Sequence, residues 1–202
     1  MNKKIKITPK QKQIIIGKIL GDGHLETVNE KTCRLKIEHS YKQRAYVDWL
    51  YQELKNLAAS QPKIKRQLVN GKAYYKYWFN TKYTSSLRFY AQQFYQGKQK
   101  IVPKLIGRWL TPLTLAVWFM DNGSVKSNLH RARLINTQGF HRAEVTRLIK
   151  TLVEKYNLRC RLRKQKEGYQ IMILAESAKQ FADLIKNNIH PSMSYKLEGL
   201  LD

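Results

Sequence analysis

The chain has 202 residues, 43% of them hydrophobic and 11% aromatic, with 38 Lys and Arg against 14 Asp and Glu, a formal net charge of +24. Such a chain can build one or two compact cores, and so large a cationic excess beside aromatic core residues points to a folded polyanion binder, with DNA or RNA as the first partner. A membrane is not expected as a partner, because no basic amphipathic helix stands apart and no apolar run approaches the roughly 20 residues of a span. Charge alone leaves open a structural protein of nucleoprotein particles. The start, Met1-Asn2-Lys3-Lys4, has no signal-like apolar segment, and the distant Cys33 and Cys160 make no disulfide framework, which suits a reducing compartment.

In chain order, Thr8 is a candidate N-cap with Pro9 at the first helical position, and the helix runs to Leu20 and stops at Gly21-Asp22-Gly23. Two short strands follow about Asn29-Glu30-Lys31, the second over Cys33 to His39. Residues 41–58 have helical period, with Tyr46, Trp49, Leu50, Leu54 and Leu57 on one stripe. Ile64 to Val69 and Lys72 to Thr81 flank Asn70-Gly71, a strong hairpin signal. A helix over Ser85 to Tyr95 precedes a basic, Pro-containing connector, residues 97–108.

The order then repeats. Thr111-Pro112 opens an apolar helix ending at Asn122-Gly123, followed by a strand over Arg131 to Thr137 and a helix over Ala143 to Tyr156. Strands Leu158 to Lys164 and Tyr169 to Leu174 bracket Lys166-Glu167-Gly168, and a last helix spans Ala178 to Asn187. Each half reads α-β-β-α-β-β-α, so the expectation is two repeats, residues 1–96 and 109–202, joined by the 97–108 linker.

The strands suggest a binding face. Arg34, Lys36 and Glu38 alternate with Cys33, Leu35 and Ile37, and Lys72, Tyr74, Lys76, Trp78 and Asn80 alternate with Ala73, Tyr75, Tyr77 and Phe79. Lys63 and Lys65 join them. Arg131 and Arg133 flank Ala132, while Arg159, Arg161 and Arg163 alternate with Cys160 and Leu162. Period-2 alternation puts basic residues on one face of each sheet and apolar residues under helices. One such strand reads equally well as an ordinary solvated face. Four strands in two repeats read as a nucleic-acid surface, one that can enter a major groove where Arg and Lys meet guanine edges.

The two Thr-Pro helices are the chemical signal. Ile15-Ile16-Gly17-Lys18-Ile19-Leu20-Gly21-Asp22-Gly23 and Leu115-Ala116-Val117-Trp118-Phe119-Met120-Asp121-Asn122-Gly123 place Asp22 and Asn122 in the same position, half a chain apart. Taken singly, either residue reads as a plain helix C-cap, and Lys100 and Lys196 are two lysines among many. His24, His39, His130, His141 and His190 show no zinc-ligand spacing with the cysteines.

As a pair the nonapeptides resemble the signature of the LAGLIDADG homing endonuclease family, in its two-repeat monomeric form, and the second half carries further similarity in Leu110-Thr111-Pro112, Asn136-Thr137-Gln138 and Met193-Ser194-Tyr195-Lys196-Leu197. The resemblance implies an α+β fold of two pseudo-symmetric repeats, each with an antiparallel sheet forming half of a DNA saddle. It implies a long double-stranded target, a monomer, and an organelle origin in mitochondrion or chloroplast. It also implies a divalent metal, Mg²⁺ first, at the helix ends: Asp22 as carboxylate ligand, Asn122 at its partner position, the Gly21 and Asp121 carbonyls beside them, and Lys100 and Lys196 near the scissile phosphates. Small residues Gly17 and Ala116 would let the helices approach. Asn122 departs from the pattern, since an amide brings no negative charge. This leaves a nicking or cleavage-deficient endonuclease, an intron RNA maturase, or a non-cleaving binder on the same scaffold.

Overall fold

The computed structural model describes residues 4–29, 31–127 and 130–201; Met1 to Lys3, and Glu30 of the expected first turn, lie outside them. The chain divides into two compact units, residues 1–91 and 92–202.

The first unit opens with α1 (Pro9–Leu20). Its start is set by a reciprocal capping box: the Gln11 N–H donates to Thr8 Oγ1 at 3.2 Å and the Thr8 N–H to Gln11 Oε1 at 3.0 Å. From Ile14 to Leu20 every residue is buried, so this helix is enclosed around its whole circumference. Then come β1 (His24–Asn29), β2 (Thr32–Ser40), α2 (Arg44–Glu53), β3 (Lys63–Val69), β4 (Lys72–Asn80) and α3 (Arg88–Phe94). The helix expected over 41–58 is shorter. Tyr41–Gln43 form a 3₁₀ turn, with the Lys42 N–H donating to Ser40 Oγ at 3.4 Å, and α2 stops at Leu54. The sheet order is β1-β2-β4-β3, antiparallel throughout. Asn70 (φ 48°) and Gly71 (φ 75°) both turn left-handed, as a two-residue hairpin with the strands' own twist requires. Leu35, Ile37, Phe79, Tyr46, Val47 and Leu50 form the core between sheet and α2.

The division between units falls within α3, so residues 97–108 belong to the second unit. They are not structureless: β5 (Tyr95–Gln96) and β6 (Gln99–Lys100) pair across Gly97 (φ 59°), and α4 (Ile106–Trp109) follows. The repeat itself is α5 (Pro112–Asn122), β7 (Gly123–Ser127), β8 (His130–Asn136), α6 (Arg142–Tyr156), β9 (Cys160–Gln165), β10 (Gly168–Ile173) and α7 (Ala175–Ile185). The sheet order, β7-β8-β10-β9, copies the first. Thr111 caps α5 by accepting from the Thr114 N–H at 3.2 Å, and every residue from Thr114 to Met120 is buried. The Phe119 and Phe181 rings meet edge-on at 4.9 Å and join α5 to α7. A 3₁₀ segment, Pro191–Leu197, closes the unit. Each repeat is therefore α-β-β-α-β-β-α with a four-stranded antiparallel sheet. Among the described residues no helix is long and apolar enough to cross a membrane.

Candidate functional site: two helix ends and two sheet faces

At the end of α1 the chain turns sharply. The Gly21 N–H donates to Gly17 O at 3.0 Å and the Gly23 N–H to Lys18 O at 2.7 Å. A Cβ on Gly23 would stand 2.6 Å from Lys18 O, so the strand can leave the helix this closely only from a glycine. That departure leaves the Asp22 side chain 46% exposed, with Oδ2 3.9 Å from His39 Nδ1. His39 is buried on β2, and its Nε2 lies 2.7 Å from the Nζ of Lys18, which is fully buried and 5.6 Å from the centre of the Tyr46 ring. A lysine inside an apolar helix was the available sign of this pairing; His39 itself carried none.

The end of α5 is built differently. A Cβ on Gly123 would stand 2.2 Å from Phe119 Cδ2 and 2.4 Å from Phe119 O, so the same close departure recurs. Asn122 Oδ1 is buried and has no hydrogen-bond partner among the described residues. Such an orphaned acceptor is costly unless a donor or cation meets it. Behind it, the Lys196 ammonium donates to Phe119 O (3.4 Å), Met120 O (2.5 Å) and Asp121 O (3.3 Å). Those are the terminal carbonyls of the helix, where a cation offsets the macrodipole. Lys196 is therefore buried at a helix end. Lys100 lies half-buried on β6, paired through its backbone with Tyr95. Asp22 and Asn122 each supply a hard oxygen donor, the type divalent Mg²⁺ or Ca²⁺ favours, and a cation would satisfy the orphaned amide oxygen.

In the first sheet, strand register confirms a common face. Glu26 lies opposite Arg34, Lys36 opposite Asn80, Glu38 opposite Trp78, Lys63 opposite Trp78, and Lys65 opposite Lys76. Lys72 and Tyr74 continue this face on β4 toward the hairpin tip, where both sheet faces are exposed. Acids are interleaved with the bases: Lys65 is 3.8 Å from Glu38, and Lys36 and Arg34 both approach Glu26.

The second sheet corrects the alternation reading. Arg161 lies opposite Met172 and Arg163 opposite Gln170, on the face of Asn136. Arg133 instead lies opposite Ile173, on the core face with Ile135 and Ile171, and Arg131 shares its parity. Arg133 is 2% exposed. Its guanidinium donates to the carbonyls of Arg131 (2.8 Å), Lys196 (3.0 Å) and Glu198, and burial lowers its pKa. It fastens the carboxy-terminal segment to the sheet. Arg159 precedes β9 and pairs with Glu176 at 3.0 Å. The cysteines take no part: burial pushes Cys33 up to about 11 and Cys160 up to about 12, so neither is a thiolate near neutrality.

Two repeats of the same topology, each with a polar-glycine helix end and basic strand residues, define a two-repeat α+β scaffold. Residues 12–181 match the LAGLIDADG DNA endonuclease family, and the chain belongs to it. It is 31% identical over 208 residues to DNA endonuclease I-ChuI of Chlamydomonas applanata, covering 95% of each chain. It is 33% identical over 202 residues to cytochrome b mRNA maturase bI2 of Saccharomyces cerevisiae, covering 93% of this chain but 47% of that protein. The structure is similar to that of the homing endonuclease I-WcaI bound to its DNA recognition sequence, with a TM-score of 0.90, 26% identity, and 96% of this chain and 88% of that chain covered.

Proposed function

We propose that this chain is a site-specific homing endonuclease that acts as a monomer on a long duplex DNA target, with a divalent metal, Mg²⁺ first, held at the two motif ends. The carrying observation is the contrast between Asp22, an exposed carboxylate, and Asn122, a buried amide oxygen without a hydrogen-bond partner among the described residues. A bound metal supplies a Lewis acid and a hydroxide source for phosphodiester hydrolysis. Asp22 provides the anionic ligand, with the Gly21 and Asp121 carbonyls beside the motif ends. Asn122 provides an oxygen but no charge, so the second half-site holds metal more weakly. Lys196 keeps positive charge at the α5 terminus, and Lys100 stands for the equivalent role in the first half; both would favour an anionic transition state. The basic faces, Arg34 to Asn80 in the first sheet and Arg161 and Arg163 in the second, hold the duplex. The expected activity is nicking or slow cutting rather than rapid double-strand cleavage.

The decisive assay uses a duplex enriched by the protein from a randomised pool, with each strand labelled separately, in Mg²⁺. The parent nicks one strand preferentially, and Asn122→Asp raises cutting of the other by about tenfold or more, one unit of transition-state free energy being 1.4 kcal/mol per decade. If neither protein breaks either strand, the endonuclease reading fails. The similarity to a cytochrome b mRNA maturase supports a second reading, intron RNA binding on the same scaffold, in an organelle such as the mitochondrion or chloroplast. Tight binding to a folded intron with no duplex enrichment would favour it.

A further inference from the structure

We propose that Arg34 is a guanine-reading residue, buttressed for that task by Glu26 and Tyr83; this rests on the reading of the first sheet as a duplex-binding face. Arg34 sits on the inner strand β2, directly opposite Glu26 on β1. Its Nε donates to Glu26 Oε2 at 2.5 Å, and the Tyr83 hydroxyl donates to the same oxygen at 2.8 Å. The guanidinium carbon lies 4.7 Å from the centre of the Tyr83 ring. A side chain with four rotatable bonds is thus held at its Nε edge and against an aromatic ring. The Nη1 and Nη2 edge has no protein acceptor among the described residues. That pair of parallel N–H groups matches the O6 and N7 acceptors of guanine.

The acid beside it separates base from backbone. A phosphate contact draws on net positive charge, and Glu26 offsets part of that charge at the Arg34 guanidinium. A guanine edge is neutral and needs donor geometry, which Glu26 and Tyr83 supply by fixing the fork. Lys36, 3.5 Å from Glu26 Oε1, gives the carboxylate a second cation and keeps it ionised. The Tyr83 hydrogen bond, then that of Arg34 and the charge of Lys36, hold Glu26 down at about 2. The second repeat has Lys126 and Leu134 at the positions 100 residues on from Glu26 and Arg34, so it has no counterpart.

The test is selection of a randomised duplex pool by the full chain without divalent metal, then competition binding of single-base variants of the enriched duplex. The parent should prefer one guanine by about ten- to hundredfold over other bases there. Arg34→Met, which keeps the side chain's length but has no donor, should erase that preference while leaving discrimination elsewhere unchanged. Glu26→Gln should reduce it several-fold at the same base pair and steepen the salt dependence by about one phosphate contact, because the released guanidinium can turn to the backbone. A uniform loss of affinity for every sequence on Arg34→Met would make Arg34 a phosphate contact and overturn the proposal. A shift in preference at some other base pair on Glu26→Gln would overturn the buttress. If the parent enriches no duplex, the DNA reading of the sheet fails first, and this assignment falls with it.

Discussion

The two motif ends share a close glycine departure but differ in backbone course and in chemistry: α1 stops at Leu20, whereas α5 stays helical to Asn122. In both, a glycine lets a strand leave its helix at a distance no Cβ would tolerate. In the first repeat the preceding residue is a carboxylate beside a buried Lys18–His39 pair. In the second it is an amide, and the positive charge comes instead from Lys196, reaching across from the carboxy-terminal segment to three helix-end carbonyls. What recurs is the glycine's close approach to the preceding helix, Gly23 N–H reaching Lys18 O and Gly123 N–H reaching Phe119 O; the electrostatics do not recur.

The largest expected effect comes from making the ends chemically alike. Asp22→Asn should lower strand cleavage by a factor on the order of 10³, leaving duplex affinity within a few-fold of the parent, as loss of an interaction made mainly in the transition state would. Cleavage at the parental rate would mean that Asp22 is not the metal carboxylate.

Next come the glycines, which test whether the turns are equally tight. Gly123→Ala should destabilise by about 3 kcal/mol and Gly23→Ala by about 2 kcal/mol, since the first would strike both the Phe119 ring and its carbonyl while the second meets Lys18 backbone and Cβ. Urea midpoints at constant m-value measure this, and equal, small shifts would mean that the chain relaxes freely at both ends. Lys196→Met keeps most of the volume and removes the ammonium from the α5 terminus. A cost of about 2 kcal/mol is expected from lost charge-assisted hydrogen bonds to buried carbonyls, read in the same titration.

The smallest effect concerns the acid that only the first repeat carries. The Glu26 carboxyl lies at about 2 in the folded chain against an ordinary 4.5. A depressed folded value means its contribution is fully present above about pH 4.5 and is lost as pH falls through about 2. Glu26→Gln should therefore flatten the stability profile inside that window and change little above it. Because the group is partly exposed, the effect should be modest, and an unchanged acid limb would show that the Arg34 and Tyr83 contacts do not persist in solution.

Much of this was legible because it is local. Thr8-Pro9, Thr111-Pro112 and Asn70-Gly71 act within three or four residues, and the structure has the caps and the left-handed turn in place. The α-β-β-α-β-β-α order follows from periodicity. Short elements escaped: β5, β6 and α4 are two to four residues long, below what a repeat pattern can announce. Arg133 escaped for another reason. Alternation fixes which residues share a face but not which face is buried, and with Ala132 and Leu134 on one side the arginine looked like the outward residue. Only pairing with Ile173 and the distant carbonyls of residues 196 and 198 reveals its inward role. The Lys18–His39 contact, 21 residues apart in sequence, is likewise set by tertiary structure.

The tight turn at the motif glycines has a consequence for how such a chain changes over generations. Asp and Asn codons differ by one base, and the two side chains have nearly the same size and shape, so the exchange asks little of the surrounding space. The glycine after it has no such latitude, because any side chain there collides with the preceding helix. Drift can therefore exchange a charged for a neutral side chain at the motif position in a single step while selection for a foldable protein keeps the frame around it, so the charge can be lost and regained without rebuilding the turn.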